Sequence, residues 1–555
     1  MSMKSHGLEP IPEETRQLVE RLSPKGTMVT QLRDALGPIY SDESFAHLFP
    51  TRGCPAEAPW RLALVTVLQA VEGLTDRQAA EYVRTRVDWL YALALPLSDP
   101  GFDYSILSDF RARLLSAQAQ DLILEPILQL CRERGWLKAR GKQRTDATAV
   151  LAQVRSLSSL ESVGEGMRAT LGALAEQHPN WLSVHLNPDW FDRYVHRFEL
   201  ARFPKAETQR RLLREQVGRD VADLLRALDE QKTPKPLREI AEVVLLRQLF
   251  AQHYEQGGQQ VHWRDGPAVS NEQRIVSPYD PQARASRKRD TVWLGYKVHL
   301  TETCDQDPES PHLITHVETT AATLQDCEVL APIQEHLRQK ALAPGSHYVD
   351  QGYASGLQLV EQARLGTQII GPVGQDSSWQ QRAHRGYGKD DFAIDWQAQV
   401  ATCPQGHRSV GWTAPAAGRS RDTVLIRFAA ATCRACPVQA QCRRGYEGRR
   451  LTLTPPAVHA ALQARRSEQC TEAEVYAYAL RAGVEGTISQ AVRTTRLRRT
   501  PYVGLSKTHL HHVAIAAGLN LKRIAAHLHA QSLDHPTRPA RPKSPFARLQ
   551  KREVA

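Results

Sequence analysis

The sequence predicts an α/β protein in which a β-sheet is accompanied by two largely helical regions. Two short strand-like stretches contain or end in an aspartate, Asp146 and Asp350. Residues 14–137 and 155–275 show helical apolar periodicity and little strand-like alternation. A helix-forming stretch, Thr471–Gln490, follows the second aspartate. Only a folded core of sheet and helix could bring these distant segments together.

Size and composition are those of a soluble globular protein. The chain has 555 residues, of which 41% are hydrophobic and 24% charged, and it is long enough for about two to four domains. We find no apolar run of membrane-spanning length and no signal-peptide core at the start. We therefore expect a cytoplasmic protein without membrane contact. Its nine cysteines are expected to be free or metal-bound rather than disulfide-paired.

The net charge of +11 is concentrated at the C-terminus. Residues 493–555 contain 13 Lys and Arg against Asp534 and Glu553, so this segment accounts for the whole excess. A basic segment on a neutral body predicts contact with a polyanion. The alternative is a solvated basic tail, which is favoured for residues 534–555 because they are rich in Pro and Arg.

The N-terminal region predicts a set of short helices. Thr75 is a predicted N-cap, with Gln78 three residues later completing a capping box, and Pro96 is expected to end a helix. Such helices can present one member to a DNA groove or form a small interaction bundle, and the residues leave both open. The predicted helices are Trp60–Val71, Leu74–Val83, Trp89–Leu95, Tyr104–Leu115 and Ala119–Gly135.

The first aspartate lies inside a predicted strand, Lys142–Val150. Thr and Val residues favour a strand here, whereas aspartate is depleted in strands. Asp146 therefore breaks the local preference, which is typical of functional sites. The alternative is an edge strand whose aspartate faces solvent.

A helical insertion and a basic cluster follow that strand. Helices are predicted at Leu157–Glu176, Glu207–Leu228 and Leu237–Gln252, with no readable role. The cluster Arg284, Arg287, Lys288 and Arg289 then precedes predicted strands at Thr291–Thr301 and Leu313–Thr319. The cluster suits phosphate contacts, and a solvated loop is the equal alternative.

The second aspartate ends a short apolar strand in the stretch His347–Tyr353. Gly352 permits a sharp turn, and Ser355–Arg364 is predicted to be the helix that follows. Ligands of open α/β sheets gather at the carboxyl ends of strands, where Asp350 would lie. A carboxylate near a helix N-cap is the local alternative. Thr367–Val373 is predicted to be the next strand.

The segment 375–455 contains a cysteine cluster. Cys403, Cys433, Cys436 and Cys442 suit a tetrahedral structural Zn²⁺ site, and His407 is a possible substitute ligand. Unligated thiols are the alternative. The remaining cysteines are scattered and are expected to be core residues.

The stretch Thr471–Gln490 is expected to begin at the N-cap Thr471. If the helix is continuous, Tyr478, Arg481 and Glu485 share one face, while Val475, Ala479 and Ala482 form a packing stripe. An exposed Arg481–Glu485 ion pair is the simpler interpretation. Further helices are predicted at Leu505–Asn520 and Leu521–Leu528, with His509, His511 and His512 as surface or DNA-facing residues.

The pattern Tyr478-x2-Arg481-x3-Glu485 resembles a signature of bacterial insertion-sequence transposases. The VDxGY form around Asp350, the WxGYKVHL-like strand, and the segments LTDRQAAEYVRTRVDWLYAL and FDYSILSDFRARL also have counterparts there. The family pattern continues with a Lys seven residues after the Glu. Val492 holds that position here and Arg493 comes one later, so that basic role is not carried over.

The resemblance covers nearly the whole chain and implies a DDE transposase with an RNase H-like mixed-sheet catalytic core. The other parts are a helical N-terminal domain, a helical insertion and a small zinc-binding insertion. The expected boundaries are 1–137 for the N-terminal domain for DNA binding or dimerisation, 138–154, 276–374 and 456–533 for the catalytic core, 155–275 for the helical insertion, 375–455 for the zinc-binding insertion and 534–555 for a disordered tail.

The resemblance also implies a chemistry. Asp146, Asp350 and Glu485 would hold two Mg²⁺ (or Mn²⁺) ions, which prefer oxygen ligands. Water attack would nick the DNA at the element end, and the resulting 3′-hydroxyl would attack target DNA. Tyr478 and Arg481 are the other predicted catalytic residues, with Arg481 contacting phosphate or orienting Glu485.

The implied partners are the element ends and target DNA, bound by a homo-oligomer associated with the nucleoid. The predicted DNA-binding residues are Arg284, Arg287, Lys288, Arg289, Arg493, Arg496, Arg498 and Arg499. Two alternatives remain: a catalytically inactive DNA-binding protein derived from a transposase, and a zinc-stabilised helical adaptor without catalysis.

Overall fold

A computed structural model describes residues 9–257, 260–266, 268–376, 378–383, 385–414 and 423–531. The predicted tail, 534–555, lies outside these residues. The chain divides into two compact units. The first contains Met1–Lys138, Gln306–Val317 and Gln490–Ala555, and the second contains Ala139–Asp305 and Glu318–Ser489.

The N-terminal part of the first unit is helical, as predicted. Thr75 caps its helix through the predicted reciprocal capping box with Gln78. The expected helix at Ala119–Gly135 is divided into a 3₁₀ turn and a shorter helix that begins next to a proline. The helices are α1 Glu13–Leu22, α2 Met28–Leu36, α3 Asp42–Phe45, α4 Pro59–Glu72, α5 Asp76–Thr85, α6 Val87–Ala92, α7 Ser105–Ser116 and α8 Glu125–Glu133.

The second unit begins with the strand that contains Asp146, followed by the helical insertion. The insertion has its own apolar core, in which Val163, Met167 and Leu246 are fully buried. The predicted helix at Leu237–Gln252 is broken because Ile240 has extended backbone angles. A hairpin that was not predicted ends the insertion. These elements are β1 Arg140–Leu151, α9 Ser159–Gln177, α10 Pro179–His185, α11 Asp189–Tyr194, α12 Glu207–Asp229, α13 Lys235–Glu239, α14 Ala241–His253, β2 Tyr254–Gly257 and β3 Gln260–Trp263.

A six-stranded mixed sheet forms the centre of the second unit. Its remaining elements are β4 Arg284–Lys288, β5 Thr291–Thr303, β6 Ile314–Ala321, α15 Asp326–Gln339, β7 Pro344–Tyr348, α16 Gly356–Arg364 and β8 Gln368–Ile370. The strand order is β4-β5-β1-β7-β8, and β6 also pairs with β5. β1 is antiparallel to β5 and parallel to β7. β1 is therefore an interior strand, and the edge-strand alternative for Asp146 is wrong.

The cysteine-rich insertion forms a small lobe of short strands and helices. Its elements are α17 Trp379–Ala383, β9 Ala393–Asp395, β10 Val400–Thr402, β11 Gly411–Thr413, β12 Val424–Arg427, α18 Ala430–Ala435, α19 Gln439–Cys442 and β13 Arg450–Leu453. β11, β12 and β13 form an antiparallel sheet. Phe428, Ile426 and Leu451 lie in its compact core.

The chain then returns to the sheet through α20 Pro456–Glu468, α21 Glu472–Tyr478 and α22 Gly483–Thr494. Thr471 is the N-cap of α21, as predicted. The predicted single helix is interrupted by a 3₁₀ turn, Ala479–Ala482. The predicted packing stripe is wrong, because Val475 is 61% exposed, whereas Val484 and Ile488 on α22 are buried.

A long helix, α23 Leu505–Gln531, belongs to the first unit. It replaces the two predicted helices and packs against α4. The Asn520 amide on α23 is buried and bonds both the backbone N–H and the carbonyl of Ile314, each at 2.8 Å. The prediction of surface histidines is wrong for His512, which is fully buried. None of the helices in the described parts of the chain is long and apolar enough to cross a membrane.

Candidate active site

Arg481 joins two of the three predicted carboxylates. One guanidinium nitrogen lies 2.8 Å from Asp146 Oδ2 and another lies 2.6 Å from Glu485 Oε1. Asp146 comes from the interior strand β1, whereas Arg481 and Glu485 come from the 3₁₀ turn and the start of α22. The simple surface ion pair considered for Arg481 and Glu485 is therefore incomplete, because the same guanidinium binds a residue 335 positions away.

Asp350 lies in the turn that follows β7, two residues beyond the strand. Its Oδ1 accepts a 2.8 Å hydrogen bond from the backbone N–H of Gly352. The N-cap of α16 is Ser355, so Asp350 is not that helix's cap. Its charge acts on Asp146 and on Arg481, which places the third predicted carboxylate in the same electrostatic neighbourhood.

Tyr478 links the helical segment to the turn that carries Asp350. Its hydroxyl donates to the carbonyl of Val349 at 3.1 Å. Burial raises the pKa of Tyr478, and the carboxylates of Asp350 and Asp146 act in the same direction. Tyr478 is therefore neutral at physiological pH, and it holds the two parts of the site together.

A buried ion pair that sequence reasoning missed supports this geometry. Arg144, two residues before Asp146, binds Glu302 on β5 at 2.7 Å, and it also donates to the carbonyl of Leu480 at 2.6 Å. Thr487 on α22 donates to the other Glu302 oxygen at 2.7 Å. Gly483 is required here, since the Arg144 guanidinium occupies the space that a β-carbon would need. The sequence gives one sign of this ion pair: a charged residue lies inside each of the two strands, Arg144 in β1 and Glu302 in β5.

The site has an excess of negative charge in a partly dry environment. Burial raises the pKa of Asp146, the nearby Asp350 and Glu485 raise it further, and Arg481 opposes them. Burial lowers the pKa of Arg481, but Asp146 and Glu485 outweigh that effect and raise it overall. Three carboxylates thus face one guanidinium, so the donor set suits added divalent cations.

The three carboxylates are not yet in the geometry of a closed metal site. Among the described residues, they do not approach within 4.8 Å of one another as a group. The guanidinium of Arg481 lies between Asp146 and Glu485 and accounts for the separation of that pair.

A fourth carboxylate lies beside the Asp350 turn and was not predicted. A β-carbon at Gly352 would be 3.0 Å from Asp350 Oδ1 and 3.1 Å from Asp326 Oδ2. Lys297 on β5 neutralises Asp326 at 3.0 Å. The Asp326 carboxylate thus lies next to the site, and its charge is balanced by Lys297.

The predicted DNA-binding residues are distributed over both units. Arg287, Lys288 and Arg289 are exposed on the edge strand β4 and its turn. Arg284 is half-buried and donates to the carbonyls of Glu272 and Pro281, each at 2.6 Å. In the first unit, four further predicted residues are exposed: Arg493, Arg496, Arg498 and Arg499.

The predicted zinc ligands lie together in the cysteine-rich lobe. Cys403, Cys433, Cys436 and Cys442 line one cavity, which His407 also lines. Burial raises the pKa of Cys442, and the charges of the other three cysteines add to that shift. Among the described residues, no three of these ligand atoms lie within 4.8 Å of one another. The four thiols thus surround one cavity, but their sulfur atoms are farther apart than in a tetrahedral metal site.

Comparison with known families agrees with this architecture. Residues 402–525 match the family described as Transposase DDE domain, and residues 17–113 match Transposase domain (DUF772). These two matches support an insertion-sequence DDE transposase. The DDE match includes all four predicted zinc ligands, Cys403, Cys433, Cys436 and Cys442, and also the Glu485 segment, whereas Asp146 and Asp350 lie outside it. No curated protein and no solved structure matches the chain.

Proposed function

We propose that this transposase binds the ends of its insertion element, cleaves DNA phosphodiester bonds and transfers the strands into target DNA. The observation that carries the proposal is the joining of Asp146 and Glu485 through Arg481, with Asp350 in the same charged neighbourhood. A DDE domain implies an RNase H-like core. The mixed sheet, with Asp146 on an interior strand and Asp350 after the parallel neighbour, supports it.

Asp146, Asp350 and Glu485 would hold two Mg²⁺ or Mn²⁺ ions. Such ions activate an attacking oxygen and stabilise the leaving one in phosphodiester chemistry. The protein's own contribution is positional. β1 fixes Asp146, the Gly352 turn orients Asp350, and the buried Arg144–Glu302 pair holds the start of α22.

Arg481 occupies the place of a cation between two of the carboxylates. When divalent ions neutralise Asp146 and Glu485, its guanidinium becomes available to a DNA phosphate, which it can bind through two parallel hydrogen bonds. Its Nε is buried and without a hydrogen-bond partner. Because this atom is buried, the phosphate contact would come from the two terminal nitrogens that now bind Asp146 and Glu485.

The cysteine-rich lobe would hold one structural Zn²⁺ through Cys403, Cys433, Cys436 and Cys442. Thiolates of this number suit a closed tetrahedral site, and the shared cavity supports the assignment. His407 lines the same cavity and is the reserve ligand.

DNA is the proposed partner, and the active species is proposed to be a homo-oligomer on the element ends. The exposed basic residues of β4 and of the segment after α22 would contact phosphates. The tail 534–555 would add sequence-independent affinity.

The test is cleavage of duplexes that carry the DNA flanking the coding region. We expect Asp146→Asn, Asp350→Asn and Glu485→Gln each to reduce Mg²⁺-dependent cleavage on the order of 10³-fold or more, because amides keep the size but lose the charge. DNA affinity without added Mg²⁺ should be retained. Asp223→Asn, at an exposed position on α12, is the matched control and should cleave normally.

Near-normal cleavage by any of the three variants would remove that residue from the site. Metal-independent DNA binding by a wild type that never cleaves would instead favour the inactive DNA-binding protein.

A further inference from the structure

The cysteine-rich lobe has a charge that the balance of the whole chain conceals. Residues 403–450 contain nine arginines and no lysine, against Asp422 and Glu447. This segment alone therefore carries +7. Arginine, unlike lysine, offers a planar fork that matches phosphate oxygens and also stacks on aromatic rings.

Two of these arginines face inward and fix a loop. Arg449 donates to the carbonyl of Cys442 at 2.8 Å, and Arg443 donates to the carbonyl of Glu447 at 2.9 Å. Gly448 lets the same loop approach the Phe428 carbonyl, where a β-carbon would clash. The loop 443–449 is thus held rigidly before β13 begins.

Two other arginines of the segment, Arg427 and Arg450, face outward and place like charges opposite each other. Arg427 on β12 and Arg450 on β13 are direct cross-strand partners, and both are exposed. Like charges placed opposite each other destabilise a sheet. Glu447 pairs with Arg450, whereas Arg427 has no ion-pair partner among the described residues. The Arg427 guanidinium instead lies 3.1 Å from the position of a β-carbon at Gly411.

The rigid loop adds an aromatic ring and a further cation to the same strand end. Tyr446 is 91% exposed. The guanidinium of Arg444 lies 4.5 Å from the ring centre of Trp379, which restrains its position without neutralising it. An exposed tyrosine beside arginines of which only Arg450 has an ion-pair partner, on a loop fixed from inside, is typical of a binding surface.

We propose that Arg427, Arg444, Tyr446 and Arg450 form an arginine surface that contacts duplex DNA. The guanidinium groups contact backbone phosphates, and the Tyr446 ring packs against the deoxyribose between them. This assignment rests on the proposed function, since DNA is the partner only if the chain acts on DNA. The cysteine-rich lobe would then take part in DNA binding through this surface.

The test compares two triple variants of the full chain. Arg427→Ala/Arg444→Ala/Arg450→Ala removes the surface, and Arg211→Ala/Arg219→Ala/Arg226→Ala removes three exposed arginines from α12. Affinity for a short duplex of arbitrary sequence is measured over a range of salt concentrations, without added Mg²⁺. We expect the surface variant to bind more weakly and its log–log salt slope to flatten by about 0.9 for each phosphate that the variant no longer neutralises. The α12 variant should match the wild type.

Tyr446→Ala separates the ring from the charges. We expect about tenfold weaker binding with an unchanged salt slope, because base or sugar contacts release no counterions. Thermal melting of every variant checks that the lobe remains folded.

The outcomes distinguish the two proposals. A wild type that binds no DNA would defeat the proposed function. A wild type that binds DNA, with a surface variant of equal affinity and slope, would overturn the arginine surface alone. An equal drop in affinity for both triple variants would also overturn it, since the effect would then reflect overall charge.

Discussion

The carboxylate site and the cysteine cluster are both predicted metal sites, and they are built in opposite ways. Asp146, Asp350 and Glu485 come from three elements spread over 340 positions, fixed by hydrogen bonds and by a guanidinium. The four cysteines come from 40 positions of chain in short strands, helices and turns.

On the proposed function, the carboxylates would form a metal site for chemistry, and the cysteines would form a metal site for stability. A large sheet and a buried ion pair can hold the carboxylates before any ion binds, so the ion adds reactivity. Among its described residues, the cysteine-rich lobe has a core of seven buried hydrophobic residues. Cores this small need a disulfide or a metal to be stable.

Metal removal should produce the largest contrast. A thiol-competing zinc chelator should melt the lobe, since structural Zn²⁺ sites contribute about 10–16 kcal/mol to folding. Limited proteolysis should then cut within 375–455 and leave the sheet intact. Withdrawing Mg²⁺ alone should abolish cleavage without new proteolytic sites. The double variant Cys433→Ser/Cys436→Ser should show the same proteolytic cuts as the chelator-treated wild type. Metal analysis should find about one Zn²⁺ per chain fewer in this variant than in the wild type.

An unchanged proteolytic pattern in a metal-free protein would contradict the expected difference between the lobe and the sheet. The lobe would then be folded by its apolar core alone.

The buried pair beneath the carboxylate site offers the next largest effect. Glu302→Gln should destabilise the protein by about 3–5 kcal/mol, because it leaves the buried Arg144 charge without a carboxylate. Where the variant remains folded, cleavage should fall about 10–100-fold through misplacement of α22, and zinc content should not change. Urea unfolding measures the first effect, with Glu468→Gln, an exposed partner of Arg465, as the control.

An unfolding midpoint equal to that of the wild type would show that the pair does not organise the site.

The smallest effect concerns the charge of Asp146 itself. Its pKa is raised, mainly by burial, so the ionised form costs folding free energy at neutral pH and the protonated form does not. Without divalent metal, Asp146→Asn should therefore melt slightly above the wild type at neutral pH. The advantage should vanish below the ordinary aspartate pKa of about 3.9. Saturating Mg²⁺ should reverse the order, since only the wild type gains binding energy.

A metal-free Asn variant that melts below the wild type at neutral pH would mean that the ion pair with Arg481 outweighs the burial of Asp146.

Local patterns predicted much of the fold. The strand around Asp146, the turn and helix after Asp350 and the capping box at Thr75 follow from residue preferences over a few positions. The expectation that the three carboxylates act together came from family resemblance and stays a prediction.

What the sequence could not predict depends on contacts over long distances. Arg481 binds Asp146 across 335 positions, and Arg144 binds Glu302 across 158. Contacts between residues so far apart produce no short sequence pattern from which they could be predicted. The break after Tyr478 has the same origin, because the Leu480 carbonyl is directed to Arg144.

The cysteine-rich lobe is closed at its base. The chain leaves the sheet near Gly374 and returns along α20. There Arg465 donates to the carbonyl of Gly371 at 2.9 Å, and Gln469 accepts from the backbone N–H of Val373 at 2.9 Å. A segment whose two ends are fastened side by side imposes no strain on its host when its length changes. We therefore expect insertions or deletions within the lobe to disturb the sheet and its carboxylates little, because loop-closure entropy changes slowly with loop length.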